Sequence, residues 1–548
     1  EKADSLQIIT NKNSSPMHLD PLGYIFTMNY DLKQPRLSCF CLAFVMLLFL
    51  KYVPDCKADG ERADVIQMSS MRHLFLDDQL IDSEKTEHVK RQFNPPYALR
   101  RVLRPEMPWE ALGFIFYCSV VDHDGTAMLY YGAYDGEKQK HFCLATSKDG
   151  LFWKRPEIKL SDYQKSNLNN IFPFEAVEAG VFLDPHAPVE KRFRLLHNRH
   201  WPDPARAGVY LSSSADGIHW QQSDIRLLPR VPDSQPSACW DPKTQEYAVY
   251  LRAWDPKRSI GRVAVKDIEV PWPYDESVSP LHIWGKKKVA TISRELPIVM
   301  RPDDSDPTNV QLYTSNVFRY PWAENAYFAF PAAYFLYQGA QLKDRALNSN
   351  DGTFDVQLAV SRDGIHWNRQ REAWIQPDYL DGIQLQLVSM GTGMIRRGRE
   401  LHQYFVGWPH THGRPVVWDR DLKNRKEWLK RDLGGIYCAT SRLDGFVSMD
   451  AGNIPGMLTT NPLKITGCQL KLNIDVSGTG IATVAILDDA GNPIPGFTAA
   501  DCEAIHADSV DFPVKWNGGH ELKELADKSI RLQFRMRNTK LYAIEFTE

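Results

Sequence analysis

Short segments in which apolar and polar residues alternate run through most of the chain. Examples begin at Ala127 ("AMLYYGAY"), Arg192 ("RFRLLHN"), Glu246 ("EYAVYLRAW") and Leu401 ("LHQYFVGW"). Alternation with a period of two is typical of half-buried β-strands. Long segments with a helical period are nearly absent, so the pattern predicts an all-β protein.

One phrase recurs between these segments: an Asp-Gly pair shortly before a Trp. "ATSKDGLFW" ends at Trp153, "SSSADGIHW" at Trp220 and "AVSRDGIHW" at Trp367, while degraded copies end at Trp272 and near Phe446. Asp-Gly is strong hairpin-turn chemistry, because both residues tolerate the backbone angles of a tight turn. We expect the aromatic residue after each turn to cover the gap between adjacent sheets.

The number and spacing of the units predict the architecture. Five units, each with room for a four-stranded antiparallel sheet, indicate a five-bladed β-propeller, because a radial array leaves few exposed strand edges. We expect it to span residues 59–455. The strands that follow are shorter and more regular, and residues 456–548 are predicted to form a β-sandwich with a structural or sugar-binding role.

The first 58 residues differ from the rest of the chain. An apolar run at 37–50 follows Lys33 and Arg36 and precedes the small residue Ala58. The run is shorter than the roughly 20 residues of a bilayer span, and its flanks are typical of a secretory signal peptide. We therefore expect a secreted or periplasmic protein with no stable membrane span after cleavage; a retained anchor is the alternative.

The charge and the cysteine content limit which partners and cofactors are expected. The formal net charge is -3 and no basic tract is present, so nucleic acid is not an expected partner. None of the cysteines after the presequence has zinc-ligand spacing, and no cofactor is predicted. Their connectivity cannot be deduced from sequence, and Cys468 with Cys502 is the first pair to test. The oligomeric state stays open.

Several longer motifs point to a family. "RHLFLDDQLI", "GVFLDPHAP", "DSQPSACWDPKTQEY" and "SRLDGFVSMDAG" resemble secreted bacterial proteins of planctomycete type, which combine a glycoside hydrolase family 32 N-terminal-like five-bladed propeller with a β-sandwich. The resemblance covers nearly the whole chain after the presequence and implies that fold. The Trp-Met-Asn-Asp-Pro nucleophile motif of fructan-cleaving enzymes is missing, so invertase-like activity is not expected.

The candidate catalytic residues are carboxylates at the start of each unit, where the innermost strand of a blade opens to the central channel. Glycosidic cleavage needs one acid that protonates the leaving oxygen and one carboxylate that acts as base or nucleophile. Glu110 precedes the first inner strand and Asp233 the third, and these two form the predicted pair. Glu178, before the second inner strand, is the third candidate.

Other polar and aromatic residues near these strands are candidates for substrate binding. They are Trp109, Gln235, Arg252, Asn316, Trp408 and His410. The two tryptophans could stack on sugar rings, and Arg252 could bind a carboxylate or sulfate or pair with a buried acid. His410 and His412 are spaced as a metal-ligand pair, but no third ligand is identifiable, so no metal site is predicted.

Together these observations predict an exported enzyme like a glycoside hydrolase, which cleaves a poly- or oligosaccharide at the propeller axis. Two alternatives from other classes remain open. A carbohydrate-binding propeller without turnover would keep its carboxylates outside acid-base distance of a bound sugar. An interaction scaffold of the cell envelope would have no affinity for glycans.

Overall fold

The computed structural model describes residues 65–200, 206–274, 282–284, 287–289, 296–337, 350–413, 432–526 and 528–548. The predicted signal peptide lies outside these residues. No helix in the described ranges is both long and apolar enough to cross a membrane. The described chain is nearly all strand, with short 3-10 helices at Asp78–Leu80, Ser83–Lys85, Pro108–Glu110, Val189–Lys191 and Leu522–Leu525.

The first four strands precede the blades, and blades 1 to 3 follow. The early strands are β1 (Ile66–Gln67), β2 (His73–Leu74), β3 (Val89–Phe93) and β4 (Ala98–Leu103). Blade 1 holds β5 (Phe114–His123), β6 (Thr126–Tyr134) and β7 (Lys140–Ser147). Blade 2 holds β8 (Ala179–Leu183), β9 (Phe193–Arg199), β10 (Gly208–Ser214) and β11 (Gln221–Gln222). Blade 3 holds β12 (Ser237–Asp241), β13 (Glu246–Trp254), β14 (Arg258–Val265) and, after the hairpin β15 (His282–Trp284) and β16 (Lys287–Val289), β17 (Ile298–Met300).

Blades 4 and 5 and the C-terminal strands complete the chain. Blade 4 holds β18 (Val310–Leu312), β19 (Val317–Arg319), β20 (Tyr327–Ala329), β21 (Ala332–Leu336), β22 (Gly352–Ser361) and β23 (Asn368–Ile375). After the hairpin β24 (Tyr379–Leu380) and β25 (Ile383–Gln384), blade 5 holds β26 (Leu387–Met390), β27 (Ile395–Arg397), β28 (Glu400–Trp408) and β29 (Gly435–Arg442). The last strands are β30 (Val447–Ala451), β31 (Gly456–Thr459), β32 (Leu463–Lys464), β33 (Gln469–Leu487), β34 (Asp508–Pro513) and β35 (Ser529–Thr547).

The predicted all-β fold, a five-bladed propeller followed by a small C-terminal sandwich, is confirmed. The ring closes through β4, which comes from before blade 1 and pairs antiparallel with β29 as the outermost strand of blade 5, with Leu103 opposite Ile436. Closure of this kind satisfies the backbone groups of two strand edges that would otherwise be exposed.

The blades are joined at the axis by hydrogen bonds between their inner strands. The Gln235 amide, next to β12, donates to the carbonyl oxygens of Cys118 in blade 1 and Ala179 in blade 2. Thr392 of blade 5 donates to Ser119 of blade 1. Side-chain hydrogen bonds therefore join the inner strands of blades 1, 2, 3 and 5.

The repeated turn links each blade to its neighbour. In the second copy Asp216 Oδ1 accepts from the backbone N–H groups of Ile218 and His219, and Gly217 has a φ of 75°. The hydroxyl of Tyr130, in the preceding blade, donates to the carbonyl oxygen of Gly217 at 2.9 Å, and the Tyr130 ring lies edge-on to Trp220. The expectation that the tryptophan covers the gap between sheets is confirmed.

The sandwich is built from both ends of the described chain. The long strands β33 and β35 pair with each other, and a register shift between Val476 and Ile481 divides the pair into two halves around an apolar core. Strands β1, β2 and β3 join the same sheet system, which corrects the predicted boundary at residue 59. Cys468 and Cys502 are free thiols, so the pair suggested by the sequence is not a disulfide.

The Gly217→Ala variant tests the turn. A Cβ at Gly217 would lie 2.4 Å from the Tyr130 hydroxyl oxygen and would occupy a left-handed backbone. We expect a loss of about 2–4 kcal/mol in the free energy of unfolding, measured by chemical denaturation.

The matched control is Gly398→Ala. Gly398 has a φ of 61° and no heavy atom within 4 Å of its added Cβ, so it isolates the backbone cost of about 1–2 kcal/mol. Equal losses in the two variants would show that the contact between the blades contributes nothing.

Candidate functional site

The candidate site lies where the inner strands of blades 2 and 3 begin. Glu178 immediately precedes β8, and His200 immediately follows β9. Because β8 and β9 are antiparallel, with Ala179 opposite His197, the start of one strand lies beside the end of the other. Asp233 lies in the loop before β12. Strand pairing thus brings together three residues that are far apart in sequence.

The three side chains converge on one point. Ligand atoms of Glu178, His200 and Asp233 all lie within 4.8 Å of one another. Glu178 Oε2 is 2.9 Å from His200 Nε2 and accepts a hydrogen bond of 2.8 Å from the Asn198 amide. The Glu178 side chain is 15% exposed, whereas those of His200 and Asp233 are 47% and 52% exposed. The cluster is therefore open on one side.

The Asp233 carboxylate is hydrogen-bonded to the buried guanidinium group of Arg252. Arg252 Nη1 donates to Asp233 Oδ2 at 3.0 Å, and Nε donates to the carbonyl oxygen of Tyr313 at 2.9 Å. The guanidinium carbon lies 3.9 Å from the centre of the Tyr313 ring. Asp233 itself has a φ of 54°, in the left-handed region that Asp and Asn adopt more readily than other residues with a Cβ.

The surroundings move the pKa values of the two carboxyl groups in opposite directions. Burial raises the pKa of Asp233, and the nearby negative charge of Glu178 adds to this, outweighing Arg252. Burial also favours the neutral form of Glu178, but hydrogen bonds from His200 and Asn198 outweigh it and lower the pKa of Glu178. The hydrogen bond to Glu178 raises the pKa of His200.

An aromatic cluster lies beside the carboxylates. The half-buried Phe116 ring lies 4.1 Å from Trp408 and 5.5 Å from His412, centre to centre, and is nearly parallel to the imidazole. Tyr313 connects the cluster to Arg252 and lies 6.0 Å from Phe116. Tyr313, Trp408 and His412 are buried, so the partly exposed Phe116 is the member of this cluster that could contact a sugar ring.

The structure does not bring Glu110 into this cluster with Asp233. Its side chain is 0% exposed and accepts hydrogen bonds from Tyr131, Arg155 and two backbone N–H groups. These contacts satisfy the buried carboxylate. Of the candidate carboxylates, the one that lies beside Asp233 is Glu178.

The predicted substrate-binding residues are mostly buried. Trp109 packs edge-on against Tyr163 in the blade 1 core. Gln235 and Asn316 bond to backbone carbonyl groups across the axis, and Trp408 donates to the Phe114 carbonyl oxygen. They support the floor of the site without facing its opening.

The two candidate histidines of blade 5 support that floor as well. The His410 ring lies 4.5 Å from Trp408, centre to centre, with the two ring planes tilted by 44°. His412 lies 3.0 Å from both the Tyr313 hydroxyl and the Asn350 carbonyl oxygen. Both ring nitrogens of His412 contact groups of the protein, and Nδ1 of His410 lies 3.2 Å from the Thr411 carbonyl oxygen. In the described residues, the donor set suited to a metal ion is Glu178, His200 and Asp233.

Sequence reasoning missed His200, Asn198 and Phe116. The segment "LLHNRH" begins with apolar residues and ends with polar ones. Polar residues at the end of a strand indicate that the strand opens to solvent there. Their proximity to Glu178 follows only from the pairing of β9 with β8. Phe116 is surrounded by apolar residues in β5 and does not stand out.

No family model and no curated protein matches the chain. Among solved structures, a glycosyl hydrolase from Bacteroides ovatus is similar at 12% identity and a TM-score of 0.38, over 63% of this chain and 93% of that one. A family 43 arabinoxylan arabinofuranohydrolase from Bacillus subtilis is similar at 8% identity and a TM-score of 0.35, over 82% of this chain and 99% of that one. An N-acetylgalactosamine deacetylase from F. plautii is similar at 12% identity and a TM-score of 0.36, over 83% of this chain and 95% of that one.

The buried histidines predict a pH dependence of stability. Burial lowers the pKa of His197 and His412 to about 3 and that of His410 to about 4. Below pH 6.5 these histidines become protonated in the unfolded chain while they stay neutral in the folded protein. The stability present above pH 6.5 is therefore lost as the pH falls. Asp355, whose pKa burial raises to about 7, opposes this trend.

The variant His412→Gln isolates one of these contributions. We expect its free energy of unfolding to fall less than that of the unchanged protein between pH 6.5 and 5, by about 1.5 kcal/mol. Chemical denaturation at the two pH values measures this difference. Identical losses in both proteins would mean that His412 is protonated in the folded state.

Proposed function

We propose that this protein is an exported hydrolase that cleaves glycosidic bonds in a poly- or oligosaccharide at the open end of its propeller axis. One observation carries the proposal: carboxylates from adjacent blades, Glu178 and Asp233, meet within 4.8 Å of each other. The partly exposed ring of Phe116 in the neighbouring aromatic cluster supports a sugar as substrate. The apolar run at 37–50, with its signal-peptide flanks, supports export.

The contacts of each carboxylate suggest its role. Glu178 accepts hydrogen bonds on Oε2 from Asn198 and His200, which stabilise the ionised form and suit a nucleophile or base. Asp233 is half exposed and can reach the leaving oxygen of a bound glycoside as the acid. The hydrogen bond from Arg252 holds the Asp233 carboxyl group in place, which supports this assignment.

The separation of the two groups suggests the stereochemistry. Retaining glycosidases have carboxyl groups about 5–5.5 Å apart, whereas inverting enzymes leave about 6.5–9.5 Å for a water molecule. One oxygen of Glu178 and one of Asp233 lie within 4.8 Å of each other, which favours the first class. In the proposed reaction Glu178 attacks the anomeric carbon while Asp233 protonates the departing oxygen; water then releases the sugar with its original configuration.

Sugar release from a panel of plant, algal and host glycans tests the proposal. We expect Glu178→Gln and Asp233→Asn each to lower the rate by about 10²–10⁴-fold with unchanged thermal unfolding. Asp224→Asn removes a carboxylate that is fully exposed outside the site and is the matched control, with full activity expected.

Two other outcomes would change the assignment. Retention of a glycan on an affinity gel without release would replace the enzyme by a carbohydrate-binding propeller. Loss of activity in Glu110→Gln at unchanged thermal stability would return Glu110 to the catalytic pair. We expect that variant to unfold at a lower temperature instead, because it weakens the buried contact with Arg155.

For any glycan that is cleaved, proton NMR of the first product distinguishes the two stereochemical courses. We expect the newly released sugar to have the same anomeric configuration as the substrate before mutarotation. Inverted product would show that a water molecule is accommodated between Glu178 and Asp233, and that Glu178 acts as a base.

A further inference from the structure

We infer that Glu178, His200 and Asp233 form a binding site for a divalent first-row metal ion. One imidazole nitrogen and two carboxylate oxygens are a donor set that Zn²⁺, Mn²⁺ and related ions accept in proteins. The three ligand atoms already lie within 4.8 Å of one another. A metal ion with ligands at roughly 2.0–2.2 Å would fit between them with little movement.

The ligands come from three separate segments, and two of them have supporting contacts. Asn198 donates to Oε2 of Glu178, and Arg252 donates to Oδ2 of Asp233. The present contact of His200 Nε2 with Oε2 of Glu178 would be replaced by coordination of the ion. Among the described residues, this leaves Oε1 of Glu178 and Oδ1 of Asp233 for the ion. Contacts that orient metal ligands are part of most metal sites, because they fix each carboxylate in place.

The cluster also has room for further ligands. His200 and Asp233 are about half exposed, so water or a sugar hydroxyl could complete the coordination. A divalent cation is the ligand that this arrangement of oxygen and nitrogen atoms recognises.

The metal ion and the proposed hydrolysis compete for the same oxygen atoms. A bound ion would occupy the electron pairs with which Glu178 attacks and would keep Asp233 from donating a proton. We therefore expect the ion to inhibit turnover. This consequence rests on the proposed function, whereas binding of the ion does not.

Metal binding to the full chain tests the inference in the absence of any glycan. Mn²⁺ binding is measured by the loss of the free-ion signal in electron paramagnetic resonance, and Zn²⁺ binding by equilibrium dialysis. Each is measured in the unchanged protein and in His200→Ala and Glu178→Gln. A Cys468→Ser background removes the one exposed thiol of the described chain, which could bind Zn²⁺ itself.

His219→Ala is the matched control. His219 is an exposed histidine 2.7 Å from the carboxylate of Asp216, so it reproduces the imidazole-carboxylate pair without a third ligand. We expect one site that is at least about 100-fold weaker in His200→Ala and unchanged in His219→Ala, since even the loss of a residue that only orients a ligand costs 10–100-fold. Thermal unfolding confirms that both variants fold.

The outcomes are distinct. The inference fails if neither ion binds the unchanged protein, or if His200→Ala binds as tightly as the unchanged protein. If the ion binds as expected and inhibits sugar release, both proposals stand. If it binds and is required for activity, the metal site stands and the metal-free roles of Glu178 and Asp233 are wrong.

Discussion

The hydrogen bond between a tyrosine hydroxyl and a glycine carbonyl in the next blade is the contact on which the propeller depends. It occurs from Tyr404 to Gly150, from Tyr130 to Gly217 and from Tyr250 to Gly364, each at 2.7–2.9 Å. In the first two of these turns the glycine carbonyl also accepts from the indole N–H of the tryptophan of its own turn, Trp153 or Trp220. The contact therefore joins blade 5 to blade 1, blade 1 to blade 2 and blade 3 to blade 4, and helps to fix the angle between the blades of each pair.

Ring closure determines where the functional groups lie. The inner strands meet at the axis, where Gln235 and Thr392 join blades 1, 2, 3 and 5 by hydrogen bonds. Glu178 and Asp233 lie just before two of these strands. The joined strands thus support a polar cluster in which Asp233 has a left-handed backbone conformation.

The fold could be read from the sequence because its signals are local. The Asp-Gly turns, the aromatic residue after each and the alternating strands are all contained in windows of about ten residues. The candidate site was only partly predictable: Glu178 and Asp233 stand before recognisable strands, but Glu110 does too. Its partner Arg155 lies 2.8 Å away in space and in a different segment of the chain, and His200 reaches Glu178 only through strand pairing.

The position of β4 has a consequence for how the protein folds. The outermost strand of blade 5 is supplied by residues that precede blade 1, so its pairing with β29 joins segments from opposite ends of the propeller sequence. Contacts between such distant segments require a long loop to close and are slow to form. We therefore expect the ring to complete late in folding, with blades 1 to 4 able to associate before the final strand finds its place.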